Sequence, residues 1–207
     1  MKRLLLASHG IGALPALVDG DAAGLRLAFV PTAAGPAAEA RPWVKADRRQ
    51  LEVLGCETTT LDLARVGAEE VEKALLGVDG VFLSGGNSYL LLWHVRRSGF
   101  ADLVPPLVDS GELLYVGTSA GALLAGPDLG PAANLDNRRE VPELASSAAL
   151  GLVPFIVLPH DQEPEFRERH DEIEAAHPSI PFVRLADDRA VLVRGEAVAV
   201  VESPPLA

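Results

Sequence analysis

Three short segments carry residue types that could do chemistry: Gly117-Thr118-Ser119-Ala120-Gly121, Gly85-Gly86-Asn87 and Pro159-His160. The first matches G-x-S-x-G, the pattern of a nucleophile elbow. A serine held clear of a sheet edge must sit on a very tight strand-to-helix turn, which crowds the residues two before and two after it. Gly117 and Gly121 are minimal at those places, and Ala120 keeps the next one small. The same residues would also fit an ordinary strand–turn–helix with a serine N-cap. A serine hydroxyl is a weak nucleophile until an imidazole takes its proton, so a histidine is needed nearby. His160 directly follows the apolar run Phe155–Leu158 and Pro159, whereas His94, His170 and His177 fall in or at the end of helical patterns. His9 also follows a strand and could line the pocket, though it reads foremost as part of a turn. The paired glycines Gly85 and Gly86 would let backbone N–H groups approach an oxyanion, with the Ala120 N–H as partner donor and Asn87 holding substrate. A third residue should orient the imidazole. Asp136 is the first choice and Asp187 the second, and spacing does not separate them.

These residues need a scaffold that brings strand ends together. Short apolar runs alternate with helical patterns, which predicts a mostly parallel sheet with helices on both faces, a three-layer α/β sandwich. Strands are expected at Arg3–Ala7, Arg26–Val30, Glu57–Leu61, Val81–Leu83, Leu113–Val116, Phe155–Leu158, Val183–Leu185, Ala190–Val193 and Ala197–Val201, the last two as a hairpin turning at Gly195. Helices are expected at Trp43–Leu54, Ala68–Leu76, Ser88–Arg97, Ala101–Val108, Ala120–Ala125 and Glu163–Ala176. Gly126–Ser147 is polar and irregular, and a loop of that length inside a compact domain is usually functional or mobile. Ligands of open parallel sheets bind at the carboxyl ends of the strands. Gly85-Gly86-Asn87, Ser119 and His160 each follow a strand, so all three are expected at that edge.

Composition narrows the function classes. The 207 residues are read as one domain, 1–207, with 48% hydrophobic content for a core. A formal charge of −11 argues against nucleic acid as a partner. The single cysteine, Cys56, excludes an intrachain disulfide and fits a reducing compartment. The opening MKRLLLASHG has an apolar run far too short for a signal h-region or a membrane span, so it reads as a first strand of a cytoplasmic protein with no membrane partner. His160, Glu163 and His170 lack a recognised ligand spacing, so no metal and no other cofactor is expected.

Taken in order, GGN at Gly85–Asn87, the G-x-SAGA elbow at Gly117–Ala122 and the strand-borne Pro159-His160 resemble the peptidase E (alpha-aspartyl dipeptidase) family of serine peptidases. The resemblance covers most of the chain. It implies a class I glutamine amidotransferase-like fold, with Ser119 as nucleophile, His160 as base, and Gly86 and Ala120 as oxyanion donors. It also implies short peptides as substrates, Asp-Xaa dipeptides foremost, and a possible homodimer. In the segment after the catalytic histidine, Arg167 or Arg169 could grip an aspartate carboxylate, though both also fit as i,i+4 partners of glutamates on an exposed helix. Glu163 and Asp161 are candidates for receiving the substrate's amino terminus. Two rival readings are a cyanophycinase-like hydrolase, whose elbow is similar, and a non-catalytic member of the fold that binds a small metabolite.

Overall fold

The computed structural model describes residues 1–207. In chain order the elements are β1 (Arg3–Ala7), α1 (Leu14–Leu17), β2 (Arg26–Val30), α2 (Pro42–Val53), β3 (Glu57–Thr60), α3 (Ala68–Leu75), β4 (Gly80–Leu83), α4 (Ser88–Arg97) and α5 (Phe100–Ser110). They continue with β5 (Leu114–Thr118), α6 (Ala120–Leu124), β6 (Ile156–Leu158), α7 (Pro164–Ala176), β7 (Phe182–Arg184), β8 (Arg189–Arg194) and β9 (Ala197–Glu202). Seven strands form one sheet in the order β3-β2-β4-β5-β1-β8-β9. The first five are parallel, and β8 and β9 join as an antiparallel hairpin. No helix is long and apolar enough to cross a membrane.

The central strands β1, β2, β4 and β5 bury both faces, which is why their sequences are continuous apolar runs, whereas the edge strands β3 and β9 are exposed. Leu4 and Leu6 of β1 point into the larger core with Val81, Leu83 and Tyr115, under α3 to α6. Leu5 and Ala7 point the other way, with Leu27, Phe29 and Phe82, and pack on Leu14 and Leu17 of α1 and Val44 and Leu51 of α2. A parallel strand with a helix on each side is the arrangement the period-2 side-chain alternation allows.

One expectation is corrected. The strand that delivers His160, β6, is not part of the main sheet; it pairs in parallel with β7 in a separate two-stranded ribbon. The long segment between α6 and β6 contains only short 3-10 turns at Gly130–Ala132 and Arg138–Glu140. It wraps the end of α4 before the chain can return as β6, so β6 comes back beside α6 rather than at a sheet edge.

Candidate active site

The register of the sheet sets the site. Ala7, at the end of β1, pairs with Thr118 of β5 on one side and with Ala190 of β8 on the other. Because β8 runs antiparallel to β1, the residues just before β8 lie at the same edge as the residues just after β1 and β5. Ser8, Ser119 and Asp187 therefore meet there, although Ser8 and Asp187 are 179 positions apart.

Ser119 occupies a left-handed backbone conformation (φ 49°, ψ −108°) that a side chain rarely adopts. Its N–H donates to the Ala7 carbonyl at 3.0 Å, which fixes the turn against β1. The flanking glycines are required by contact. A Cβ on Gly117 would lie 2.5 Å from the Gly121 carbonyl carbon, and one on Gly121 would lie 2.2 Å from the Leu83 carbonyl oxygen. Such backbone-to-backbone distances leave no room for a methyl group.

The Ser119 Oγ lies 3.0 Å from His160 Nε2. On the other side of the ring, Nδ1 lies 2.7 Å from Asp187 Oδ1. His160 is also in a left-handed conformation (φ 64°), and its N–H donates to Ser8 Oγ at 2.8 Å. With its lone pair used in that way, the Ser8 hydroxyl donates its proton to Asp187 Oδ1 at 2.6 Å. The Asp187 backbone N–H in turn donates to Gln162 Oε1 at 2.9 Å. Burial would raise the Asp187 pKa, but the hydrogen bonds from His160 and Ser8 and the nearby imidazole outweigh it and hold the carboxyl at about 2. An ionised carboxylate only accepts, so Nδ1 carries the ring proton. The Nε2 lone pair then faces the serine, the arrangement a general base needs.

Asp136 does not reach the imidazole's Nδ1. Its carboxylate accepts the Ser88 N–H at 2.9 Å, at the first turn of α4, and burial raises its pKa. Its side chain nevertheless lines the same cavity as Ser119 and His160. The sequence signal for Asp187 was limited to its place just before the first strand of the terminal hairpin; the antiparallel pairing of β8 with β1 is what puts it at the carboxyl edge. Ser8 carried no sequence signal of its own.

Gly86 has φ +143°, and a Cβ there would lie 2.2 Å from the Ala33 carbonyl oxygen, so the glycine is needed for the loop to close on the turn after β2. The Gly85 carbonyl accepts from Trp43 Nε1 at 3.1 Å, and its N–H is turned toward the buried Asp47 carboxylate and away from the serine. That leaves Gly86 as the glycine whose N–H can serve an oxyanion, together with Ala120 at the start of α6. Asn87 is not a substrate ligand in this arrangement. Its Oδ1 accepts the Tyr89 and Leu90 N–H groups at 2.9 and 3.1 Å, capping α4, and its Nδ2 donates to the Asn137 carbonyl.

Neither arginine enters the cavity. Arg167 donates to the Asp161 carbonyl oxygen at 2.9 and 3.1 Å, and Arg169 pairs with Glu165 one turn back. Phe166, between them, does line the cavity, with its ring 5.1 Å from that of His160 in an edge-on contact. The Asp161 carboxylate is taken by His170 at 3.0 Å and lies 3.5 Å from Arg184. Glu163 is exposed, and with His160 and Asp187 it offers three ligand atoms within 4.8 Å of one another. A cation there would compete for Nδ1, which already carries the proton held by Asp187.

The cavity is about 320 Å³, at the small end of ligand pockets, which run from ~300 to 1,000 Å³. Its walls include His9, Trp43 and Leu135, and no lysine or arginine. Cys56 lies elsewhere; burial pushes its thiol up to about 11, so it is unreactive at neutral pH.

The chain is similar to known proteins along nearly its whole length. Residues 11–201 match the profile of peptidase family S51. An uncharacterized peptidase of Listeria innocua is 30% identical over 96% of this chain and 95% of its own. A peptidase E of Streptomyces coelicolor is 31% identical over 93% of this chain and 84% of its own. A crystal structure from Listeria monocytogenes EGD-e, provisionally named a peptidase E, superimposes with a TM-score of 0.87 at 28% identity, over 98% of both chains.

Proposed function

The chain belongs to peptidase family S51 and is a serine-type peptidase, and from that premise we propose that it releases the N-terminal residue of short peptides, Asp-Xaa dipeptides foremost, through Ser119, His160 and Asp187. The observation that carries this reading is the continuous hydrogen-bond line from Ser119 Oγ through both ring nitrogens of His160 to Asp187, at 3.0 and 2.7 Å. Ser119 Oγ attacks the carbonyl of the first residue while His160 Nε2 takes its proton. Asp187 stabilises the imidazolium that forms, and the Gly86 and Ala120 N–H groups receive the negative charge on the tetrahedral oxygen. The imidazolium then protonates the leaving amine. Water, deprotonated by the same nitrogen, attacks the acyl-enzyme and frees the first residue.

The substrate's ammonium group is received by Asp136, the one carboxylate besides Asp47 that lines the cavity. An arriving cation favours the ionised form of a carboxyl that burial has pushed toward neutrality. The small cavity fits a dipeptide better than a long chain. The resemblance to alpha-aspartyl dipeptidases supports an N-terminal aspartate, and His9 is the lining side chain, other than His160, able to offer it positive charge.

The test is hydrolysis of Asp-Xaa dipeptides, other dipeptides and aminoacyl p-nitroanilides by the wild type, Ser119→Ala and Asp136→Asn. Turnover is lost with Ser119→Ala. Asp136→Asn raises KM for free-amino substrates by about tenfold or more, the scale of one charge-assisted hydrogen bond. Absence of any Ser119-dependent turnover sinks the peptidase reading, and equal cleavage of long and short peptides sinks the restriction to short ones.

A further inference from the structure

Asp47 is an aspartate only 2% exposed, and the reaction as described makes no use of it. It sits on the inner face of α2, one turn after Trp43, so the two side chains point the same way. Trp43 Nε1 holds the Gly85 carbonyl at 3.1 Å. The other polar group of the same residue, the Gly85 N–H, is turned toward the Asp47 carboxylate. Asp47 Oδ2 accepts the Ser84 hydroxyl at 2.6 Å and the Thr118 hydroxyl at 3.0 Å. Ser84 and Gly85 follow β4, while Thr118 ends β5 immediately before Ser119. One carboxylate thus ties together the two strand ends that supply the Gly86 and Ala120 N–H groups. The spacing between those ends is tight, because a Cβ on Gly85 would lie 3.3 Å from that of Ser119.

We propose that Asp47 is a positioning residue that sets the Gly85-Gly86 loop and the Ser119 turn at a fixed separation, so that the two oxyanion donors converge on one point. This rests on the peptidase reading above. A carboxylate suits the role where an amide does not. It presents acceptors only, and every group turned toward it is a donor: two hydroxyls at hydrogen-bond distance and the facing Gly85 N–H. An asparagine in the same place can keep the two hydroxyls on its oxygen, but its NH₂ then faces the Gly85 N–H. Two donors cannot share that contact, so the loop must move away from Ser119. The arrangement carries a cost, since burial pushes the carboxyl up to about 7 despite the two hydroxyls that donate to it. The other titratable side chains around the cavity are His9, Asp136 and His160. A group retained against that burial, with hydrogen bonds confined to the two oxyanion-bearing loops, serves their geometry rather than the stability of the core.

The experiment compares Asp47→Asn, Thr118→Val and Thr118→Ser with the wild type, in melting temperature at pH 8, in kcat and KM, and in the rate of labelling by a fluorophosphonate, whose tetrahedral adduct places an oxygen between the same donors. Asp47→Asn is expected to melt no lower than the wild type, because it removes a buried charge. Its kcat should nonetheless fall by about 10- to 100-fold, KM should change by less than about threefold, and labelling should slow in parallel with kcat. Thr118→Val, which deletes one tie without changing shape, lowers kcat in the same way, and Thr118→Ser restores most of that loss. If Asp47→Asn does not fold, the Thr118 pair decides. A kcat per labelled site equal to wild type in Asp47→Asn or in Thr118→Val overturns the proposal, as does a loss confined to melting temperature. Failure of the wild type itself to label or turn over would instead refute the peptidase reading on which the proposal rests.

Discussion

Replacing Asp187 by asparagine removes a charge while leaving its hydrogen-bond pattern in place, and the structure says why. Both His160 Nδ1 and the Ser8 hydroxyl address the same carboxylate oxygen, at 2.7 and 2.6 Å. The Ser8 hydroxyl accepts the His160 N–H at 2.8 Å and directs its one proton at Oδ1, so an amide that turned its NH₂ to Ser8 would leave that proton without its acceptor. An asparagine is therefore held with its oxygen inward and its NH₂ outward, and Nδ1 keeps its proton. What is lost is the attraction between a carboxylate and the imidazolium formed in the transition state. At ~4 Å between charge centres and an effective dielectric of ~20, that attraction is about 4 kcal/mol. The depression of the Asp187 pKa to about 2 gives a smaller figure, of order 2 kcal/mol before screening by solvent at a side chain 31% exposed. The Coulomb value is an upper bound. Asp187→Asn should thus lose about 30- to 500-fold in kcat, with KM little changed. Adding Ser8→Ala releases the amide to flip and donate to Nδ1, turning the ring to the wrong tautomer, so the double variant should lose more than the product of the single losses. Steady-state hydrolysis of a p-nitroanilide by the four proteins gives the answer. Unchanged kcat in Asp187→Asn, with a large loss in Asp136→Asn, would refute the reasoning and move the imidazole's partner to the loop after α6.

Two other outcomes follow from the same geometry. Gly121→Ala should cost at least about 3 kcal/mol in denaturant unfolding, because the new methyl group meets the Leu83 carbonyl at 2.2 Å; Gly77→Ala, which meets nothing within 4 Å, is the control and should be neutral. Acid titration of stability should separate the two unusual aspartates. The Asp187 pKa lies below its ordinary value, so its contribution is full above about pH 4 and is lost as pH falls through 2. The Asp47 pKa is raised to about 7, so its favourable, protonated contribution is present below about pH 4 and is lost as pH rises through 7. Melting curves for wild type and Asp47→Asn should converge at pH 4 and separate at pH 8, with the variant the higher; curves that stay parallel would contradict this.

The parts of the site written in local sequence were readable, and the parts made by topology were not. Gly117 to Gly121 announce the elbow because part of the crowding that demands glycine is local, a Cβ on Gly117 meeting Gly121, while the Leu83 carbonyl that crowds Gly121 comes from β4. His160 stands out because it ends an apolar run. Asp136 was preferred to Asp187 because it lies in a long polar loop, and only the antiparallel entry of β8 beside β1 brings Asp187 to the imidazole. Asn87 looked like a ligand because asparagine suits both recognition and capping, and the helix it precedes takes it as a cap. Asp47 was invisible for the opposite reason. An aspartate in a helix with Lys45, Arg48 and Arg49 reads as part of a solvated face, and the phase of α2 on the sheet turns that residue inward. The alternating strands and helices gave the layers, but not the displacement of β6 from the main sheet.

The position of β1 has a consequence for how the molecule is made. It precedes the other eight strands in the sequence, yet its two neighbours are β5 and β8. It cannot be paired on both sides until β8 has been synthesised, and such long-range closures are the slow events of folding. Ser119 and the glycine loop can take shape earlier, since β4, β5 and α6 are near neighbours in the chain. Asp187 arrives only with β8, and with it the correct orientation of His160. A chain interrupted before β8 therefore carries a serine without its oriented base, and the site is completed only when β8 closes on β1.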